Sequence, residues 1–439
     1  MCNVRLLVFR GFVLPENMWK QVVSQLKVHI PGIYLSSILF GQVFLSSLAN
    51  LLSVDNRLVM LVLRFLIMIF SYGYIYFFLR DKRLQIYFNL WAFSVILFWF
   101  FYLIRLFFDV YVSGVALALP LWELLAWSLG SSLPIAICSY ILASQQSLDS
   151  VLIRQVKYGV ILLGTSIICF LVDPGLSQGR FYLEHLNAIT CANAGCALVL
   201  LCFARIILCK VNSTEINSGR LIICLGILIG SFIIIYSATR GVLFAILLII
   251  SASVLLLRSR LNFTGLTKAK YTFQLVIGFS VLFLLISTSP HLVEKLFTPR
   301  SANTVLTRLE FWKVSFEQFV ANPFLGIGFH LQEILGKLEI EKGIYYPHNY
   351  LFESLAIGGI SMTLPLLYCM FSPVVSFYKE LRVDPSVLPS VLMATQALIY
   401  SMHNGHLGDF PFFWMAIGIT AGSRHRINAS NAINSQFEN

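Results

Sequence analysis

Long apolar segments recur along the whole chain and constrain its fold more than any other feature of the sequence. Each is close to the roughly 20 residues that an α-helix needs to cross the hydrocarbon of a bilayer. Only 12% of the 439 residues are charged, whereas 58% are hydrophobic, and so few charges cannot cover soluble domains of this size. A soluble enzyme, a nucleic-acid-binding protein and a disordered scaffold are therefore excluded. We predict twelve spans, near residues 31–53, 58–79, 84–107, 124–143, 153–172, 188–208, 219–237, 241–257, 271–289, 348–372, 387–402 and 409–422.

The distribution of Lys and Arg predicts how these spans are oriented. With the N-terminus in the cytoplasm, 19 of the 31 Lys and Arg residues fall in cytoplasmic segments. Of the nine in outside segments, six lie in one long loop, where the positive-inside rule has least force. Both termini are therefore predicted to be cytoplasmic. The predicted organisation is an N-terminal cytoplasmic or interfacial segment (1–30), nine spans (31–289), a helical outside loop (290–347), three spans (348–422) and a cytoplasmic tail (423–439).

The long outside loop, residues 290–347, has a helical pattern of its own. Apolar residues recur at helical spacing over 309–319, after Thr304, a residue type that often caps helix N-termini. Asn322-Pro323 is expected to end this helix, and a second short amphipathic pattern covers 331–338. Loops of this length are usually functional or disordered. The two helical patterns favour a structured loop and an all-α polytopic membrane protein.

Arginines within or beside the spans are candidates for function, because an Arg at the bilayer centre costs about 2.5–3.5 kcal/mol on insertion scales. By the predicted topology, Arg64, Arg105 and Arg240 all lie in the outer half of the membrane. One interpretation is internal pairing of Arg64 or Arg105 with Asp109 or Glu123. The other is a basic cavity for an anionic headgroup such as a lipid diphosphate, since Arg binds phosphate oxygens bidentately. The sequence leaves both open.

Two further features concern Arg240 and Arg308. Arg240 lies in Ser237–Gly241, a short polar break between two apolar helices. The amides at the start of the second helix could assist in binding an anion at this turn. Arg308 lies on the predicted loop helix and by itself would be an ordinary surface arginine.

His348 stands where the long loop re-enters the membrane, in Pro347-His348-Asn349. Histidine titrates near neutral pH and can take a proton from a hydroxyl group or donate one. Glu353, five residues further on, could be its partner. His403 and His406 in the last outside loop are weaker candidates, and the sequence assigns no role to them or to Glu353.

The common motifs of soluble enzymes are absent from the sequence. It contains no P-loop, dinucleotide-binding fingerprint, HExxH or GxSxG motif. No acidic pair of the DxD type marks a metal-dependent sugar-nucleotide site. These absences favour chemistry on a lipid-linked donor, without a metal ion.

Five short motifs follow one another in a fixed order. A polar SxxRG break follows a long apolar span, RxxxW and PxxGxG occur in the loop, HNY closes the loop, and a Gly-Gly pair lies in the next helix. These motifs are Ser237–Gly241, Arg308–Trp312, Pro323–Gly328, His348–Tyr350 and Gly358–Gly359.

Together these motifs resemble the O-antigen ligase and Wzy-type O-antigen polymerase superfamily of bacterial lipid-linked glycan transferases. Upstream, Gly179-Arg180 and Leu186-Asn187 are also similar, although Ala188 stands where the family has a proline. The similarity covers about residues 179–365. The first five spans resemble the family only in topology.

The resemblance implies a GT-C-like fold and a multi-pass inner-membrane glycosyltransferase whose active site faces the periplasm. Such enzymes transfer a glycan from undecaprenyl diphosphate without a metal ion or other cofactor. At the matching positions, Arg240 and Arg308 would bind and neutralise the donor diphosphate. His348 would orient or deprotonate the acceptor hydroxyl. The family offers no motif for Arg64 and Arg105, so their assignment to the diphosphate site rests on predicted location alone.

The resemblance leaves the acceptor open. In ligases the acceptor is a sugar hydroxyl of lipid A-core, and in polymerases it is a second lipid-linked repeat unit. The moderate size and single structured loop favour the ligase, with the polymerase as the alternative. A polytopic transporter or flippase is a more distant alternative, because twelve spans would suit one. Transporters often contain internal repeats, and none is visible in this sequence.

Overall fold

The protein is described by a computed structural model, which covers residues 29–80, 89–172, 181, 188–211, 219–257, 300–338, 346–381, 384–403, 406–408 and 410–437. Within these residues the chain forms helices and no β-strand. The main helices are α1 (His29–Leu51), α2 (Asn56–Arg80), α3 (Leu90–Tyr111), α4 (Leu121–Gln145), α5 (Asp149–Val172), α6 (Ala188–Val211), α7 (Arg220–Tyr236), α8 (Arg240–Leu256), α9 (Arg300–Ala321), α10 (His330–Lys337), α11 (Tyr350–Leu381), α12 (Leu388–His403) and α13 (Pro411–Phe437).

The helices confirm the predicted fold class, an all-α polytopic membrane protein. Seven helices, α1 to α6 and α11, are long and apolar enough to cross a bilayer, and α7 and α8 are shorter apolar helices. Eleven of the twelve predicted spans coincide with a helix, while the span predicted at 271–289 lies outside the described residues. The total of twelve therefore stays a prediction. Helix α13 continues through the predicted tail as far as Phe437.

The long loop contains the two helices that its periodicity predicts, α9 and α10. The predicted start of α9 was wrong, because the helix begins at Arg300 and not after a cap at Thr304. Residues 301–303 contain no glycine or proline, so nothing in their sequence prevents the helix from extending toward the N-terminus. Its end at Ala321, just before Asn322-Pro323, is as predicted.

Close helix contacts hold the centre of the molecule together. Gly418 and Gly422 of α13 form a G-x-x-x-G pair that faces α4, and a Cβ on Gly418 would lie 2.6 Å from the Ala136 carbonyl oxygen. Small residues at this spacing let two helices approach closely in a membrane. Trp91 of α3 donates from Nε1 to the carbonyl oxygen of Cys369 in α11, at 3.1 Å. The elements beneath the long loop are thus fixed by packing and by hydrogen bonds.

Helix α11 is interrupted at Gly359, whose backbone has φ 60° and ψ −153°. The break releases backbone groups that pair with the Pro323–Gly328 segment of the loop. The Ile360 amide donates to the Pro323 carbonyl at 2.8 Å, and the Ile327 amide donates to the Ala356 carbonyl at 2.8 Å. The P-x-x-G-x-G motif therefore binds the loop, through backbone hydrogen bonds, to the turn of α11 that is interrupted at Gly359.

We predict that Gly359→Ala lowers the thermal stability of the purified protein, by about 1–3 kcal/mol or more in the free energy of unfolding. A side chain at this positive φ is strained, and its Cβ would lie 2.6 Å from the carbonyl oxygens of Pro323 and Phe324. Gly73→Ala is the matched control, because nothing lies within 4 Å of a Cβ at that position in α2. Equal melting temperatures for the two variants in the same detergent would contradict this account of the loop.

Candidate active site

The end of α12, at His403, lies at the centre of the candidate site. The Arg308 guanidinium on α9 donates from Nη1 to the carbonyl oxygen of His403, at 2.7 Å. A Cβ built on Gly241 would lie 2.8 Å from Nε2 of the same histidine, so the start of α8 lies against the His403 imidazole. The helices that carry Arg308 and Arg240 therefore meet at one residue, although 68 positions separate the two arginines in the sequence.

Arg240 is the first residue of α8 and is partly buried. Its guanidinium makes no hydrogen bond or ion pair with any residue that the structure describes. The first amides of α8 have no partner within the helix, and the helix dipole favours negative charge at this end. Ala238, two residues earlier, has φ +50°, a conformation that side-chain-bearing residues seldom adopt. This turn offers a cation and backbone donors to an anion.

His348 has a backbone φ of +56°, and the residues on both sides of it are fixed. The Trp312 indole donates from Nε1 to the Pro347 carbonyl at 2.8 Å, and the Asn349 amide donates from Nδ2 to the Met402 carbonyl at 2.7 Å. A strained backbone persists only where its surroundings determine it, which is frequent at functional sites. Ser53, Ala238 and His348 are the non-glycine residues with positive φ in the described chain. Two of the three lie in the candidate site.

Asn349 also explains why the chain turns into a helix directly after His348. Its Oδ1 accepts hydrogen bonds from the amides of Leu351 and Phe352, at 2.9 and 3.2 Å. This is the geometry of an N-cap, which satisfies amides that have no partner inside the helix. One side chain thus caps α11 and binds α12, and both contacts hold the adjacent His348 in place.

A buried pair of titratable residues, Glu353 and His406, is connected to His348 through the ring of Tyr346. The ring of Tyr346 has its centroid 4.5 Å from that of His348 and 5.3 Å from that of His406. Nε2 of His406 lies 3.3 Å from Oε1 of Glu353, and the side chains are 6% and 1% exposed. Glu353, considered above as a partner of His348, has its carboxylate against His406.

The backbone determines which nitrogen of His406 carries the proton. Nδ1 accepts a hydrogen bond from the Gly408 amide at 3.1 Å, so the proton of the neutral ring resides on Nε2 and faces Glu353. The other carboxylate oxygen of Glu353 accepts from the Leu407 amide at 3.1 Å. The pair therefore fixes the short segment 406–408, which lies between α12 and α13.

The two remaining arginines differ in their surroundings. Cζ of Arg64 lies 5.8 Å from the centroid of the Trp127 ring, and Trp127 packs edge-on against His406. Arg64 is thus at the border of the candidate site. Arg105 pairs with Asp109 instead, with Nε 3.1 Å from Oδ1. Internal pairing, one of the two alternatives left open by the sequence, is observed for Arg105. Its assignment to diphosphate binding is not supported by this ion pair and stays a prediction.

Comparison with known protein families bears on about a third of the chain, the part that contains Arg240, Arg308 and His348. Residues 225–367 match a family model described as O-antigen ligase. The resemblance to the O-antigen ligase superfamily is confirmed. The match supports an O-antigen ligase- or polymerase-type function in a multi-pass membrane protein. No curated protein matches the chain.

The segment that matches the family model contains Arg240, Arg308 and His348. The structure joins these residues through α12, which follows the segment in the chain. Arg308 contacts His403, and Asn349 contacts Met402, so both loop motifs bind the end of α12. Among the described residues, no group of three or more His, Cys, Asp or Glu is placed to hold a metal ion.

Sequence reasoning did not predict the contacts that His403, His406 and Glu353 make. Glu353 and His406 are 53 positions apart, and no local spacing links them. The buried position of Glu353, one turn into an apolar helix, was a usable signal, because a carboxylate at such a position needs a partner.

Proposed function

We propose that the protein is an inner-membrane glycosyltransferase that moves a glycan from undecaprenyl diphosphate to a sugar hydroxyl of lipid A-core. It would act as the O-antigen ligase, on the periplasmic face and without a metal ion. The observation that carries this proposal is the meeting of Arg308 and the start of α8 at His403, next to the anchored His348. A diphosphate and a hydroxyl group are the two reactants that such a constellation would serve.

The reaction forms one glycosidic bond, breaks the bond from the sugar to the diphosphate, and transfers one proton. The acceptor hydroxyl oxygen attacks the anomeric carbon of the sugar that is joined to the diphosphate. The bond between that carbon and the phosphate oxygen breaks, and the electron pair leaves with the lipid diphosphate. The proton of the acceptor hydroxyl passes to an imidazole nitrogen of His348, which acts as a general base.

Arg240 and Arg308 would stabilise the charge that develops on the departing diphosphate. Fixed cations and backbone donors aimed at developing charge are usually the largest electrostatic contribution to catalysis. Arg240 suits this role because its guanidinium is not engaged by a described residue, and because α8 adds its N-terminal amides. Arg308 suits it because its bond to the His403 carbonyl holds its position. Arg64 would contribute at the border of the site.

The buried Glu353–His406 pair would act by positioning. It fixes Leu407, four positions after His403, whose carbonyl oxygen accepts the hydrogen bond from Arg308. Tyr346 lies between His406 and His348 and transmits the position of one ring to the other.

The proposal is tested in a deletion strain of the host, with lipopolysaccharide separated on a gel. Loss of every band above lipid A-core, together with accumulation of polymer on the carrier lipid, would support the ligase. A band of lipid A-core with a single repeat unit, and no longer bands, would instead identify the repeat-unit polymerase. Normal lipopolysaccharide in the deletion strain would contradict both activities.

A further inference from the structure

A cavity lies at the far end of α9 from Arg308. It is an open cleft of about 590 Å³ between α9, α10 and α3, within the volume range of about 300–1,000 Å³ that is usual for ligand pockets. We call it the α9–α10 cleft. Its polar lining consists of Arg105, Gln318, Asn322, His330, Glu333 and Lys337.

The walls of the cleft are held in place before any ligand binds. Oδ2 of Asp109, the partner of Arg105, accepts a hydrogen bond from the Phe329 amide at 2.6 Å. Oε1 of the buried Gln332 on α10 accepts from the Ala118 amide at 3.0 Å. These bonds fix α10 to α3 and to the segment after it. A site with fixed walls loses less conformational entropy when a ligand binds.

The charges that line the cleft compensate one another. Arg105 is paired with Asp109, and Nζ of Lys337 lies 2.8 Å from Oε1 of Glu333. The hydrogen bond from Lys337 lowers the pKa of Glu333, so this carboxylate stays ionised at neutral pH. The two pairs carry no net charge, and the cleft therefore lacks the excess positive charge that a site for a diphosphate would present.

The cleft nevertheless offers many hydrogen-bonding groups. The side-chain amides of Gln318 and Asn322 make no hydrogen bond with a described residue, and each presents both donors and an acceptor. Arg105 contacts Asp109 through Nε, and its side chain is part of the cleft lining. Leu325 and Ile334 add apolar surface. Mixed donors and acceptors beside apolar surface suit the hydroxyl groups and C–H faces of sugars.

The cleft is aligned with the candidate active site along one helix. Arg308 and Ser315 are spaced seven residues apart on α9, and Asn322, at the same spacing, directly follows the last residue of the helix. Positions with this spacing share a face that drifts by only about 20° per seven residues. Fourteen residues of helix measure about 21 Å. A glycan with several sugar units could therefore contact the active site and the cleft at once.

We propose that the α9–α10 cleft binds uncharged, hydroxyl-rich sugar units of a glycan substrate whose reacting end lies at Arg308 and His348. This inference rests on the proposed function. The glycan could be the chain of the donor or the oligosaccharide of the acceptor, which have the same hydrogen-bonding chemistry.

The test measures glycan binding by the full-length protein in lipid nanodiscs, with saturation-transfer NMR. The two probes are the core oligosaccharide and the O-antigen polysaccharide, each released from host lipopolysaccharide by mild acid. We expect the double variant Gln318→Ala/Asn322→Ala to bind one of them about tenfold more weakly, because two hydrogen-bonding amides are lost. Gln146→Ala is the control, because it removes an amide from the connection between α4 and α5.

Each outcome decides the proposal independently of the gel assay. Weaker binding of only the core oligosaccharide would assign the cleft to the acceptor, and weaker binding of only the O-antigen polysaccharide would assign it to the donor. Weaker binding of both would assign it to both glycans. If the double variant binds as the wild type does, or if the wild type binds neither probe, the proposal is overturned. Ligase or polymerase activity would stand in either case.

Discussion

His348→Asn is expected to reduce glycan transfer at least about 100-fold, while the protein remains inserted and folded. Removal of a general base typically costs about 10²–10⁴-fold in rate. Asparagine is chosen because it tolerates a positive φ better than most residues, so the backbone at +56° should be retained. Its amide cannot take a proton from the acceptor hydroxyl. Transfer is measured with purified protein, lipid-linked donor and lipid A-core.

His29→Asn is the matched control, because His29 is exposed at the start of α1 and far along the chain from every site residue. It should leave transfer unchanged. The melting temperatures of both variants should stay near that of the wild type, which separates a loss of chemistry from a loss of fold. Wild-type turnover by a folded His348→Asn protein would remove His348 from the proposed mechanism.

The helices were predictable because their causes are local. A helix needs a minimum apolar length to cross a bilayer. Helices α1 to α6 and α11 are long and apolar enough to do so. The periodicity of α9 and α10 follows from the side of each helix that is buried. The start of α9 was not predictable, since Thr304 is as compatible with a helix interior as with a cap once its neighbours are helical.

The broken turn of α11 shows why motifs alone do not give a structure. The sequence contains both Gly358–Gly359 and Pro323–Gly328, but nothing in either segment indicates that they pair. Their hydrogen bonds join residues more than 25 positions apart, and each pairing satisfies backbone groups that the other segment leaves open. The sequence therefore predicted the end of α9 and a helix that contains Gly358–Gly359, and the structure shows that the two segments pair.

The arginines illustrate the same limit within the site. The Arg105–Asp109 pair has the i,i+4 spacing that brings side chains together on a helix, and it was one of the alternatives predicted from sequence. The contact of Arg308 with the carbonyl of His403 is a backbone interaction across 95 positions. No property of either side chain predicts it, because any residue at position 403 would supply the carbonyl.

Arg308→Lys is expected to lower the turnover rate about 100-fold, although it keeps the positive charge. Removing one donor to developing negative charge costs about 10²–10³-fold in comparable sites. Lysine lacks the planar fork of arginine, so it cannot hold the His403 carbonyl and two phosphate oxygens together. Arg240→Lys should show a similar loss. Turnover is measured at saturating donor and acceptor, with Arg57→Lys as the control, because Arg57 is exposed at the start of α2.

The double variant Arg240→Lys/Arg308→Lys tests whether the two arginines act on one diphosphate. When two residues act on the same group, replacing both lowers the turnover rate by less than the product of the two separate factors. The first substitution already weakens the interaction that the second residue supports. We therefore expect the double variant to be far less impaired than the product of the two single losses predicts. Strict multiplication of the two effects would indicate that the arginines act on different groups. The meeting of both helices at His403 would then serve the fold and not the leaving diphosphate.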